Sequence, residues 1–147
     1  MIKIISDFQY LVEPCDYVTD MAEGNKIADI LFKVLETHKG LGLAANQIGL
    51  NKAVCVANAV EKKFFVNPQI LSGHGSIKVE EGCLSFPNQQ VKTERRKQIV
   101  VRADNLTKDT VFGSEDDWDL MLEAICIQHE VDHLNGITMF DRGKISG

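Results

Sequence analysis

The stretch Gln128-His129-Glu130-Val131-Asp132-His133 contains an H-E-x-x-H sequence at the end of a long helical pattern. Residues four positions apart lie on one face of a helix, about 5–6 Å from each other. Both imidazoles can therefore reach one cation, with Glu130 at the side where a water on that cation would lie. The alternative is a pair of buried histidines that bond to protein groups and bind no metal.

The helix is predicted to begin near Ser114, since Asp117 follows at capping-box spacing, and to stop at Asn135-Gly136. Its apolar residues lie on the face that continues into the two histidines, so we expect the imidazoles to project into the core. These apolar residues are Trp118, Met121, Leu122, Ile125 and Cys126.

Two histidines leave a hydrolytic metal site incomplete, because such a site has three protein ligands and one open position. The metzincin pattern fails, since Met139 stands where its third histidine belongs, and Asp141 is the only acid after His133. We therefore expect the third ligand upstream, and Cys83 in Glu81–Ser85 is the candidate. A lone cysteine is otherwise a small buried apolar residue.

The rest of the chain predicts an α+β fold in one domain, residues 1–147. Apolar residues at helical spacing predict a helix over residues 25–39, ended by Gly40. The middle of the chain predicts short antiparallel strands. They are Ala53–Val56, Phe64–Val66, Ser76–Glu80, Gln98–Arg102 and Thr110–Phe112.

Charge and hydropathy argue against whole classes of partner. Sixteen Lys and Arg against 21 Asp and Glu give a net charge of −5, so no basic field favours direct nucleic-acid binding. Apolar runs are far shorter than a bilayer span, and Asp7 interrupts any secretory h-region, so we expect no membrane partner and a cytoplasmic location. The four scattered cysteines indicate reduced thiols.

The segment Gly40–Gly49 is rich in small residues. It lacks the spacing of nucleotide-binding loops, so we reject that function. Small residues let backbone approach a ligand closely, and the Gln47 amide can donate to developing negative charge. The simpler interpretation is a tight turn leading into a strand.

Taken together, Gly40–Gln47 (G-φ-G-φ-A-A-x-Q), Glu81–Ser85 (E-G-C-L-S) and Gln128–His133 (Q-H-E-x-D-H) resemble the peptide deformylase signature. The resemblance implies antiparallel sheets packed around a central metal-binding H-E-x-x-H helix, with a second, N-terminal helix. It also implies hydrolysis of the N-formyl group from the N-terminal formyl-methionine of newly made polypeptides, with release of formate.

The resemblance assigns roles to individual residues. It implies one divalent metal ion, Fe²⁺ first, with Zn²⁺, Ni²⁺ or Co²⁺ as substitutes, held by Cys83, His129 and His133. Glu130 would be the general acid/base for a metal-bound hydroxide, and the Gln47 side chain and Leu84 N–H would bind the oxyanion. The pocket for the methionine side chain would be formed by Leu41, Leu122, Ile125 and Cys126, with Gly42 as a further substrate-binding residue.

The resemblance also implies an ion pair of Glu81 with Arg95 or Arg96, which at an exposed position would contribute about 0–1 kcal/mol. One departure is Gln90, because bacterial relatives commonly carry there an Arg that contacts the substrate backbone. Arg95 or Lys92 is a candidate substitute. The C-terminal helix that many bacterial members use to dock on the ribosome is absent, so we expect catalysis by a monomer without that docking.

Two other functions stay open at this point. A metallopeptidase cleaving internal peptide bonds would share the helix but use a different third ligand and a long cleft. An inactive relative would hold a structural metal or act as a binding module, although structural sites are normally closed by four protein ligands.

Overall fold

The computed structural model describes residues 2–145. The helices in this range are α1 (Phe8–Leu11), α2 (Met21–Glu36), α3 (Trp118–Leu134) and α4 (Met139–Arg142), with one 3₁₀ turn at Ala45–Ile48. The strands are β1 (Gly42–Ala44), β2 (Val54–Ala57), β3 (Lys63–Val66), β4 (Gln69–His74), β5 (Ile77–Cys83), β6 (Phe86–Arg95), β7 (Gln98–Arg102), β8 (Thr110–Gly113) and β9 (Gly143–Ile145).

The strands form three antiparallel sheets of three strands each, in the orders β1-β2-β3, β4-β7-β8 and β5-β6-β9. The β5–β6 pairing runs from Ile77 opposite Arg95 to Cys83 opposite Phe86, with a register shift between Glu81 and Cys83. The shift lies at the end of β5 that carries the candidate thiol. The predicted α+β class with antiparallel strands is confirmed.

Helix α3 packs against β1, β2 and β8. Residues of its inner face, including Ala124, Ile127 and Val131, share a core cluster with strand residues such as Phe65 and Ile99. A second cluster joins α2 to the sheet of β1–β3. Helix α3 therefore contacts strands of two sheets, and its residues from Glu123 to Leu134 are buried.

Both ends of α3 follow from local hydrogen bonds. The N-cap is Asp117, whose carboxylate accepts from Leu120 N at 3.3 Å, so the predicted start at Ser114 is three residues early. The Ser114 hydroxyl accepts the Asp117 N–H at 3.0 Å, within the turn before the helix. The predicted stop is confirmed: Gly136 has φ +74°, and Ile137 N bonds the Asp132 carbonyl.

The bounds of the first long helix were predicted incorrectly. Helix α2 begins at Met21, because Asp20 caps it by accepting from Ala22 N at 2.9 Å. It ends at Glu36 instead of reaching Gly40, since the Thr37 hydroxyl donates to the Val34 carbonyl at 2.8 Å. A side chain thus competes for a helical acceptor before the glycine is reached.

All five predicted strands correspond to observed strands, and Gln98–Arg102 has the predicted bounds. Strands β1, β4, β6 and β9 were missed. The ten-residue β6 contains four consecutive exposed residues, from Pro87 to Gln90, so it lacks the apolar signal of a strand. None of the helices found between residues 2 and 145 is long and apolar enough to cross a membrane.

Candidate metal centre

Cys83, His129 and His133 lie together, with one ligand atom from each within 4.8 Å of the others. The Cys83 Sγ atom is 3.3 Å from His133 Nε2, and the two imidazole centroids are 5.0 Å apart. Ligands at about 2.0 and 2.3 Å from one tetrahedral ion lie roughly 3.5 Å apart. The donor set therefore fits a divalent cation both chemically and in spacing.

The His129 ring is oriented by Glu81, whose Oε1 atom accepts from Nδ1 at 2.8 Å, which leaves Nε2 for the cluster. The same carboxylate pairs with Arg95, whose Nη2 donates to Oε1 at 2.9 Å. Glu81 and Arg95 are 6% and 5% exposed, so the alternative of an exposed pair is wrong. Despite burial, hydrogen bonds from Arg95 and His129 hold the pKa of Glu81 well below its usual range.

Arg95 also donates through Nη1 to Asp132 Oδ2 at 2.6 Å. Asp132 accepts two further bonds from Arg142, at 3.0 Å from Nε and 2.9 Å from Nη2. Arg95 therefore pairs with two buried carboxylates and is not available to replace an Arg at position 90, so the prediction is wrong for Arg95 and stays a prediction for Lys92. Lys92 and Gln90 are exposed on β6.

Glu130 is 4% exposed, and its Oε1 atom has no hydrogen-bond partner among the described residues. Burial is the main cause that raises the pKa of Glu130 to about 7, against an opposing effect of His129. Its Oε2 atom lies beside Gly42, where an added Cβ would be 2.8 Å away. An unpartnered buried carboxylate beside two imidazoles is a candidate proton acceptor.

The two histidines differ in their electrostatic surroundings. Burial disfavours the protonated, charged form of both imidazole rings. For His129 this is overcome by Glu130, Cys83 and Glu81, which raise its pKa well above the ordinary value. For His133 the pKa is lowered by burial and by His129 and Arg95. In the metal-free protein a neutral His133 is therefore ready to donate a lone pair.

Gln47 and Leu84, the two predicted oxyanion donors, are both next to Cys83. The Gln47 amide nitrogen donates to Ser85 Oγ at 3.0 Å and lies 3.5 Å from Cys83 Sγ, while its oxygen accepts from Ala44 N at 2.9 Å. This bonding fixes the amide with its nitrogen toward the cluster. Leu84 follows Cys83 directly and also lines the cavity described below.

A cavity of about 380 Å³ opens onto the candidate centre. Its wall includes the four residues predicted to hold a methionine side chain and the predicted substrate-binding Gly42, and also Gln47, Cys83, Leu84, His129 and Glu130. Trp118 is half exposed at the cavity, so its predicted place on the core face is wrong. It lies in the first turn of α3, before the helix enters the core.

Sequence reasoning missed three supporting residues. Gln128 clamps the Arg96 backbone, accepting its N–H at 3.0 Å and donating to its carbonyl at 2.9 Å. Asp132 joins Arg95 to Arg142, and Asn46 donates to the His133 carbonyl at 2.8 Å. Gln128 and Asp132 are specified by the motif Q-H-E-x-D-H, and that was the signal by which the sequence could have identified them. Asn46 stands where the loop motif leaves the residue open.

The chain is similar to known proteins in both sequence and structure. The model of the polypeptide deformylase family matches residues 2–146. A peptide deformylase of Aquifex aeolicus is 41% identical over 137 residues, covering 86% of this chain and 76% of the relative. The crystal structure of peptide deformylase from Thermotoga maritima superposes with a TM-score of 0.84 at 29% identity, covering 98% of this chain and 97% of that one. The crystal structure of a probable peptide deformylase from Synechococcus phage S-SSM7 superposes with a TM-score of 0.79 at 32% identity, covering 97% of this chain and 98% of that one.

Proposed function

The chain belongs to the polypeptide deformylase family, and on that premise we propose that it hydrolyses the N-formyl group of formyl-methionyl polypeptides. The observation that carries the proposal is one cavity wall holding Cys83, His129 and the buried carboxylate of Glu130. His133 completes the donor set. We take residues 1–147 as one catalytic domain.

Cys83, His129 and His133 would hold one divalent cation, for which we put Fe²⁺ first and Zn²⁺, Ni²⁺ or Co²⁺ as substitutes. A cation with three protein ligands and an open position supplies acidification of water and polarisation of a carbonyl. Among the described residues, the cluster has no fourth His, Cys, Asp or Glu ligand, which favours this open arrangement over a closed structural site.

Glu130 would accept a proton from the attacking water and pass it to the departing amine nitrogen. The new C–O bond forms first and places negative charge on the formyl oxygen, and the C–N bond of the formamide breaks as its nitrogen takes the proton, leaving formate and a free N-terminus. With a cation at the adjacent histidines, the ionised form of Glu130 would be favoured. Glu130 would then be ionised, and able to accept a proton, at pH values below 7 as well.

The Gln47 amide nitrogen and the Leu84 N–H would stabilise negative charge on the formyl oxygen. Gln47 is 1% exposed, and its oxygen is fixed by Ala44 N, so the donor is held in place before substrate arrives. Preorganisation of this kind avoids a cost of reorientation during the reaction.

The cavity suits an N-terminal methionine. Its volume of about 380 Å³ lies at the lower end of the range for small-ligand sites, and Leu122, Ile125 and Cys126 line it from α3. Strand β5 is an edge strand of its sheet and contributes residues from Val79 to Cys83 to the wall. An extended peptide chain can add to such an edge through its main chain.

The proposal is tested by formate release from a formyl-Met-Ala-Ser peptide, using protein purified anaerobically with Fe²⁺. The matched control is Glu130→Gln, which keeps the shape of the side chain and removes its proton acceptance. We expect release by the parent and a loss of about 10²–10⁴-fold in the variant. No release by folded, metal-loaded parent would refute the proposal, and cleavage of internal peptide bonds instead would support a metallopeptidase.

A further inference from the structure

Asn46 and His133 leave two buried polar atoms unpaired. Both residues are 1% exposed. Asn46 Nδ2 donates to the main-chain carbonyl of His133 at 2.8 Å, so the two residues are already joined by one buried hydrogen bond. Yet Asn46 Oδ1 and His133 Nδ1 have no hydrogen-bond partner among residues 2–145.

These two atoms are chemically complementary. Since His133 Nε2 faces Cys83 Sγ at 3.3 Å, the neutral ring that binds a cation through Nε2 carries its hydrogen on Nδ1. The Asn46 carbonyl oxygen is an acceptor without a donor. A buried donor or acceptor left unpaired destabilises the folded state, so pairing these two atoms would remove two unfavourable contributions.

His129 shows the arrangement that His133 lacks. The Nδ1 atom of His129 donates to Glu81 Oε1 at 2.8 Å, which fixes the ring with Nε2 toward the cluster. Metal-ligating histidines almost always donate their second ring N–H to an oxygen acceptor, which orients the ring. By the same requirement His133 needs an acceptor, and Asn46 Oδ1 is an unpaired acceptor on a residue already bonded to it.

We propose that Asn46 is a positioning residue for His133 in the metal-bound protein: Nδ2 holds the main-chain carbonyl of His133, and Oδ1 accepts its Nδ1–H. The inference rests on the proposed function, since it concerns a ligand of the proposed cation. Asn46 lies in the 3₁₀ turn next to Gln47, so this pair also ties the loop that carries the oxyanion donor to α3.

The first measurement is the rate at which a chelator removes Zn²⁺ from the loaded protein. Asn46→Ala removes both contacts, whereas Asn46→Asp keeps an oxygen acceptor for the ring and loses the donor to the main chain. Asn105→Ala is the matched control, because Asn105 also bonds two main-chain groups, Val66 N at 2.9 Å and the Phe64 carbonyl at 2.8 Å, away from the cluster.

We expect Zn²⁺ release about 10–100-fold faster in Asn46→Ala, with Asn46→Asp closer to the parent and Asn105→Ala at the parental rate. A purely structural role for the main-chain contact would affect the Ala and Asp variants equally, and that result would overturn the inference. Should Asn46→Ala not fold, the Zn²⁺ release rates of Asn46→Asp and the parent are compared instead. The His133 imidazole spectrum of the parent is then the second readout.

The second measurement is the ¹⁵N-resolved imidazole resonance of His133 in the Zn²⁺-loaded parent. We expect an Nδ1–H proton protected from exchange with water, and faster exchange in Asn46→Ala. Rapid exchange in the parent would overturn the inference while leaving the proposed function intact. A parent that binds no Zn²⁺ would refute both.

Discussion

Replacing Glu130 by Gln is expected to stabilise the metal-free protein at alkaline pH. The carboxylate is 4% exposed, and its Oε1 atom has no hydrogen-bond partner in the described part of the chain. Burial raises the pKa of Glu130 from 4.5 to about 7, and this value already contains the opposing effect of His129. Ionised Glu130 is therefore less favourable in the folded state than in the unfolded chain.

The sign and size of the effect follow from linkage. Between pH 4.5 and 7 the folded state holds a proton that the unfolded state releases, so the contribution of Glu130 to stability is lost as pH rises through this window. A shift of this size corresponds to about 3 kcal/mol at pH 8 and to under about 1 kcal/mol at pH 5. The isosteric amide has no such pH dependence.

The assay is urea unfolding of chelator-treated parent and Glu130→Gln at pH 5 and pH 8. We expect the free energy of unfolding of the variant to exceed that of the parent by about 2 to 3 kcal/mol more at pH 8 than at pH 5. Equal differences at the two pH values would refute the argument that Glu130 is held as an unpaired buried acid. Such a destabilising carboxylate is expected at a functional site and has no structural purpose.

Three further substitutions test other parts of the site. Gly42→Ala would place a Cβ 2.8 Å from Cys126 Sγ, Glu130 Oε2 and the Val56 carbonyl. We therefore expect kcat/KM to fall roughly 5–150-fold, which corresponds to about 1–3 kcal/mol, and an unchanged kcat/KM would contradict this crowding. Glu81→Gln removes one of the two buried carboxylates that pair with Arg95 and leaves Asp132 as the other, so urea unfolding should show about 1.5–3 kcal/mol of destabilisation, whereas a neutral result would mean that the pair is solvated. Arg142→Met removes a half-exposed partner of Asp132, and the same assay should show only about 1 kcal/mol; a loss as large as that of Glu81→Gln would be the contrary outcome.

The sequence predicted the parts of the fold that carry a periodic apolar signal or a local stop. Gln98–Arg102 and the end of α3 at Gly136 are such cases. Strand β6 was missed because it is largely exposed, and its position depends on pairing with β5. The end of α2 was missed because the Thr37 hydroxyl donates to the Val34 carbonyl. The spacing of apolar residues gives no signal for such a side-chain contact.

For the candidate site, spacing along α3 was enough to bring the two histidines to one face. It could not show that Cys83 lies 3.3 Å from His133, since that contact depends on the position of β5 relative to α3. The commitment of Arg95 to Glu81 and Asp132 is also a tertiary fact, and sequence alone left it free to serve a substrate. Cytoplasmic location and a monomeric state stay predictions.

Metal-dependent deformylation is tested by an anaerobic titration of metal-free protein with Fe²⁺, followed by formate release from a formyl-methionyl peptide. We expect activity that rises in proportion to added Fe²⁺ and stops rising at one equivalent, and a Cys83→Ala variant that gains no activity over the same range. Full activity without metal, or none at any loading of folded parent, would contradict this expectation.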